Sequence, residues 1–174
     1  MIKIIKGQVM MKLSGLEYIE SFRNYIDYLE EHLINIGKAY NEVTEKCKDI
    51  DWFKENKEVL RDDVIRHDLS KFSKEEFTQY AAKFYPVKNT TQNITEFENA
   101  WEHHYKHNHH HIETYSNLYD FITKLNLVHM VIDWTAMSYK FGGSAQEYYE
   151  SDKCTKEVNE KDKDFLYLIF SKLK

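Results

Sequence analysis

Between Leu16 and about Lys46 the apolar side chains Ile19, Phe22, Ile26, Leu29, Leu33 and Ile36 recur three and four positions apart, which predicts one long amphipathic helix. Ser14 and Glu17 ahead of it have the form of a capping box. His32 falls one turn after Leu29 and one turn before Ile36, so it faces the edge of the core. Gly37 is a place for this helix to bend or end, and the polar stretch to Asp51 reads as its continuation followed by a loop. A second helix is expected from near Trp52 or Lys57 into Val64-Ile65-Arg66-His67-Asp68, with Leu60, Val64 and Ile65 on its apolar side. Ser73 and Glu76 repeat the capping pattern and open a third helix through Phe77, Tyr80, Ala81 and Phe84, which the sole proline, Pro86, terminates.

A polar loop over 86–94 leads to Thr95 and Glu98, which start a fourth helix carrying Phe97, Ala100, Trp101 and His104. The fifth helix is the most hydrophobic, with Leu118, Phe121, Ile122, Leu125, Val128, Ile132, Ala136 and Met137 before Gly142-Gly143 stops it. Ser144 and Glu147 begin a short sixth, and Phe165, Leu166, Ile169 and Phe170 mark a last amphipathic segment. Residues 1–13 alternate loosely, as a short strand or arm. The fold class is therefore all-α: a bundle of about six or seven helices in a single domain over 1–174, since no repeat or composition shift divides the chain.

Composition narrows the function. Five glycines and one proline in 174 residues exclude a turn-rich all-β or collagenous chain. The 24 basic and 29 acidic residues give a formal charge of −5 and no basic stripe for nucleic acid. No apolar run reaches the roughly 18 residues of a membrane span, and Met1-Ile2-Lys3-Ile4-Ile5-Lys6 lacks a signal peptide's features, so a cytoplasmic protein without a membrane partner is expected. Cys47 and Cys154 stand alone, which argues against a disulfide scaffold or a cysteine zinc site. Histidine breaks the plain picture: six of the nine (His103, His104, His107, His109, His110, His111) fall within nine consecutive positions. That tract is internal and interrupted, unlike a purification tag.

Metal-ligand side chains thus occur in four places on or beside apolar helix faces: His32, His67-Asp68, the tract from His103 to His111, and Asp133. Neutral imidazole mixed with carboxylate suits divalent transition metals, and a carboxylate can bridge two ions. His32 and His67 lie 35 residues apart, and Asp68 and His104 lie 36 apart, so these groups meet only if separate helices converge, as they do in bundle cores. Taken singly, His32 suits a satisfied histidine at the core boundary, Lys71 a surface lysine, His103, His107 and His111 solvated or structural groups, and Asp133 a carboxylate paired with His129 one turn earlier. His129 is itself a potential ligand.

His67-Asp68-Leu69-Ser70-Lys71, with one histidine upstream and a histidine cluster and an aspartate downstream, resembles the order His … His-Asp … His … His … Asp of the HD-domain superfamily of metal-dependent phosphohydrolases. Ala100-Trp101-Glu102-His103-His104, Asn108-His109-His110 and Asp133-Trp134-Thr135-Ala136-Met137-Ser138 also resemble an uncharacterised family of small phage and bacterial proteins, a likeness that covers most of 16–150 and implies no activity. The HD resemblance implies an all-helical fold in which His32, His67, Asp68 and Asp133 hold one metal, and Asp68 bridges to a second held by His104 with His109, His110 or both. It implies that Lys71 lies near a substrate phosphate; by their charge Arg66 and Lys74 are weaker candidates for holding a phosphoryl oxygen, and Asp68 and Lys71 are the expected catalytic residues. The separation of His104 and His109 by only 5 residues departs from relatives with two metals, which place a whole helix between those histidines. The cofactor expected is one or two ions of manganese, iron, zinc or cobalt, and the partner a small phosphorylated substrate such as a nucleotide. Tyr80, Phe84, Trp101, Tyr105 and Tyr115 surround the mouth in sequence, with Phe84 and Trp101 read as core. An oxygenase with two irons and a non-catalytic metal-binding or inhibitory module are the alternatives. Oligomeric state is open.

Overall fold

With helix breakers nearly absent, the chain forms long helices, as seen in a computed structural model that describes residues 2–5, 8–11, 14–88, 90, 94–115, 120–154 and 157–174, with the side chains of 1–13, 120 and 121 outside the description. The N-terminal segment is a hairpin of β1 (Ile2–Ile5) and β2 (Gln8–Met11), antiparallel, with Ile2 opposite Met11 and Ile5 opposite Gln8. Leu118, expected on the fifth helix, lies outside the described residues.

Helix α1 (Ser14–Lys46) has 33 residues, a length of about 50 Å. Gly37 leaves it unbroken. Its buried face differs from the one apolar spacing suggests: Ser21, Tyr25, Leu29, His32, Asn35, Ile36, Ala39 and Val43 point inward, while Ile19 and Ile26 are 46% and 47% exposed. The partner surface decides this, because Phe77, Tyr80 and Tyr85 stack around Tyr25 and draw its side of α1 inward.

Helix α2 (Asp51–Val64) stops before His67-Asp68, which lie in a turn leading to the 3₁₀ segment Leu69–Phe72. Ile65, expected on the apolar side of α2, is consequently 69% exposed. Helix α3 (Phe77–Phe84) ends just before Pro86 as expected, but no side chain caps its start. Helices α4 (Ile94–His107) and α5 (Asp120–Phe141) follow, and α5 ends at Gly142 and Gly143, whose φ values of 79° and 80° suit glycine. The short α6 (Ala145–Tyr149) has the capping bond read from sequence, Glu147 N–H donating to Ser144 Oγ at 3.2 Å. Helix α7 (Glu160–Leu173) closes the chain.

Helix α1 packs chiefly on α5 and divides the apolar interior in two. Its C-terminal half joins α2, α5, α6 and α7 in a large core that includes Val43, Leu60, Leu127, Ile132, Leu166 and Ile169. Its N-terminal half joins α3 and α4 in a smaller one of Tyr25, Leu29, Tyr80, Ala81 and Ala100. His32 lies on α1 between Leu29 of the small core and Ile36 of the large one. Among the described residues, no helix is long and apolar enough to cross a membrane.

Candidate metal centre

The seam between the two cores is filled by polar side chains. Helix α1 contributes His32, the turn after α2 contributes His67 and Asp68, α4 contributes His104, the turn after it His110 and His111, and α5 contributes His129 and Asp133. Asp68 adopts a left-handed backbone conformation with φ 58°, the only non-glycine residue with positive φ among those described. Aspartate tolerates this conformation better than most residues, and such outliers concentrate where a site requires them.

Each Asp68 oxygen faces its own set of imidazoles. Oδ2 is 3.4 Å from His32 Nε2 and 3.4 Å from His67 Nε2. Those two nitrogens are 3.0 Å apart, and Asp133 Oδ1 lies 3.5 Å from the first and 3.8 Å from the second. On the other side Oδ1 is 3.3 Å from His104 Nε2 and 3.3 Å from His110 Nε2, while His111 Nε2 is 2.8 Å from His104 Nε2. Four donors placed tetrahedrally about 2.05 Å from an ion lie about 3.3 Å from one another, and the separations here straddle that value. The buried group His32, His67 and Asp68 and the group Asp68, His104, His110 and His111 are thus each placed to hold a metal ion.

The outer hydrogen bonds fix which nitrogens face inward. Asp63 is a pure acceptor, so His129 Nδ1–H donates to its Oδ2 at 2.7 Å. His129 Nε2 lies 3.0 Å from His67 Nδ1, a contact that turns His67 Nε2 toward Asp68 and His32. His104 is oriented alike: Nδ1–H donates to Glu76 Oε2 at 2.8 Å, so its Nε2 also faces Asp68. Carboxylates that orient the far nitrogen of an imidazole are the usual outer partners of metal-bound histidine. Asn108 braces this side through Ser70 Oγ at 2.7 Å and the His104 carbonyl at 2.8 Å.

His67 Nε2 pairs with His32 Nε2 and His104 Nε2 with His111 Nε2, whereas Asp68 Oδ1, His110 Nε2 and Asp133 Oδ1 are buried with no hydrogen-bond partner among the described residues. Burial pushes the His67 imidazole down to about 4 and the His110 imidazole down to about 3, so both are neutral near pH 7. Burial also pushes His111 well below the usual imidazole range. For Asp68, burial acts the other way, but His67 and Lys71 outweigh it and hold the carboxyl well below the usual carboxylate range. Lys71 Nζ is 2.6 Å from Asp68 Oδ2, a pairing that offsets burial and raises the ammonium's pKa. Neutral imidazoles and ionised carboxylates are the protonation states a transition metal takes up.

Six of the expected ligands, His32, His67, Asp68, His104, His110 and Asp133, meet in this seam with Lys71. His109 is exposed and stands outside every such group among the described residues, because the turn after α4 directs it outward while His110 and His111 face Asp68. His111 occupies the inward position instead. Asp133 does not pair with His129, which bonds to Asp63 and His67. Glu76 and Asp63 were not legible as site residues. The sequence around Glu76 reads as a helix cap, yet its carboxylate takes His103 at 2.7 Å and His104 at 2.8 Å.

A cleft of about 740 Å³ opens from the seam, with His32, Asp68, Lys71, His104, His111 and Asp133 at its floor. Phe84, read from sequence as core, is 56% exposed on its lip, and Trp101 lines its wall. Tyr105, Tyr115, Arg66 and Lys74 take no part in the lining. Tyr115 instead donates to Asp162 Oδ2 at 2.6 Å.

Residues 21–172 match a family of unknown function (DUF5662), and the chain belongs to that family. The family's description assigns no activity. Comparison with curated proteins and with solved structures gives no match.

Proposed function

We propose that this protein is a metal-dependent phosphohydrolase of the HD type that acts on a nucleotide or related small phosphorylated metabolite. The observation that carries the reading is Asp68: one carboxylate with an imidazole set at each oxygen and an ammonium at 2.6 Å. A divalent ion bound at each oxygen would supply Lewis-acid activation of water and neutralise charge on a phosphoryl oxygen. The chain's own groups account for the rest. His32, His67, Asp68 and Asp133 would hold one ion, and Asp68, His104, His110 and His111 the other. Lys71 sits at the cleft floor, where its ammonium can donate to a non-bridging phosphoryl oxygen and steady the charge that grows there. Asp63 through His129, and Glu76 directly, keep the inward nitrogens in place.

Reconstitution of tag-free protein with manganese, iron, zinc or cobalt, followed by metal analysis and a screen of phosphate esters, tests the reading. Two ions per chain and release of inorganic phosphate are expected, with Lys71→Ala retaining metal but losing turnover. Protein that binds no ion overturns it. Oxygen consumption by the iron-loaded form without phosphate release would point instead to an oxygenase.

A further inference from the structure

The cleft is far larger than a phosphoryl group needs. Its volume of about 740 Å³ lies in the range that encloses a whole small-molecule ligand, so a phosphoryl group on the floor leaves most of the space to the group that carries it. Aromatic side chains line the cleft: Tyr28 and Trp101, which pack against the smaller core, Trp134 of the larger core with Tyr148 beside it, and the exposed Phe84 and Phe141 at the lips. Trp134 and Tyr148 have ring centroids 5.6 Å apart. The lip phenylalanines are 56% and 67% exposed.

Charge along the cleft restricts the ligand further. Among the described residues the lysines of the lining are Lys71, beside Asp68, and Lys153. Away from the floor the acidic lining residues are Glu113 and Glu147, and Glu113 lies near enough to raise the pKa of the Tyr148 hydroxyl after burial has done so. A chain of phosphates running outward would meet the carboxylates of Glu113 and Glu147. A flat, uncharged ring would meet aromatic faces.

We infer that the cleft takes a phosphomonoester, one phosphoryl group on a carrier that presents a flat aromatic ring, and turns polyphosphates away. The inference rests on the hydrolase reading for placing the phosphoryl group on the floor. Binding can be followed without turnover, because Trp101 and Trp134 line the cleft while Trp52 packs against Phe53 and Phe165 elsewhere.

The test titrates manganese-loaded protein with phenylphosphonate, with methylphosphonate, which lacks the ring, and with phenyl diphosphate supplied as its manganese complex, reading tryptophan fluorescence. Phenylphosphonate is expected to bind about tenfold or more tighter than either of the others. Phe84→Ala with Phe141→Ala, both at exposed positions, should remove the advantage over methylphosphonate. Glu113→Gln with Glu147→Gln should narrow the gap to the diphosphate. Equal binding of methylphosphonate, tighter binding of the diphosphate, or no binding of any probe overturns the inference. Parallel assays of phenyl phosphate and glycerol 2-phosphate hydrolysis separate the two claims. Ring-selective binding without cleavage of either ester sinks the hydrolase reading and leaves the cleft assignment standing. Cleavage of both esters at equal efficiency does the reverse.

Discussion

Leu127, Val131, Ile132, Leu166 and Ile169 are buried, and so are His67, Asp68, His104 and His110, all at 3% exposure or less, yet the two interiors are held by opposite effects. In the apolar one, each methylene removed from water contributes about 0.8 kcal/mol, and the side chains have no directional need to meet. In the polar one, a buried hydrogen-bonding atom left without a partner costs about 1–3 kcal/mol, and three such atoms converge at Asp68, His110 and Asp133. A cation held among these atoms would offset that cost. The difference between the regions teaches that burial alone says nothing of purpose: the first interior makes the fold, and the second uses stability the first supplies.

Four experiments break or sharpen that contrast. Leu166→Ala in the apolar interior should cost about 2–5 kcal/mol in urea unfolding, equally with chelator and with metal; dependence on metal would mean the two interiors are not separable. Next in size, a divalent ion at a hundredfold excess over its Kd should raise stability by about 2.7 kcal/mol, a chelator should reverse the gain, and Asp68→Asn should abolish it. If Asp68→Asn is stabilised as much as the parent, the polar interior is not where the metal binds.

Smaller effects distinguish the two sides of Asp68. Asp63→Asn, at a half-exposed position, should weaken the ion on the His67 side by about 10–100-fold, and Glu76→Gln should do the same on the His104 side. Calorimetric titration should show one affinity moving in each variant, and a common shift in both would contradict separate ion positions. Smallest is a labelling effect. Cys47 sits in the apolar core with its thiol pushed up to about 11, by burial first and by Asp49 second. A thiol reagent should label Cys154 quickly and Cys47 only as the protein opens, so added metal should slow the second phase alone. Fast labelling of both thiols would show the apolar interior to be open.

Several parts of this arrangement were legible before any coordinates. The ends of α3 and α5 follow from Pro86 and from Gly142-Gly143, because the chemistry that stops a helix is local. The convergence of His32, His67, Asp68, His104, His110 and Asp133 was legible through resemblance rather than spacing, since nothing in a one-dimensional pattern sets the distance between residues 35 apart. The errors have the same root. Ile19 and Ile26 share the apolar period of α1 but face water, because α3 supplies aromatic rings to the neighbouring stripe. His109, His110 and His111 are identical in type, and only the turn after α4 selects the second and third. Glu76 looks like a capping residue until α3 and α4 pack and bring two imidazoles to it.

Sequence by itself therefore determined the helical class, most helix boundaries and the stock of imidazoles and carboxylates, all of which depend on neighbours a few residues away. Tertiary packing alone decided which face of α1 is dry, which histidines point at Asp68, and that aromatic walls rise above them. Those outcomes depend on surfaces meeting across the fold, where the free energy of a side chain is set by what it touches and not by what precedes it in the chain.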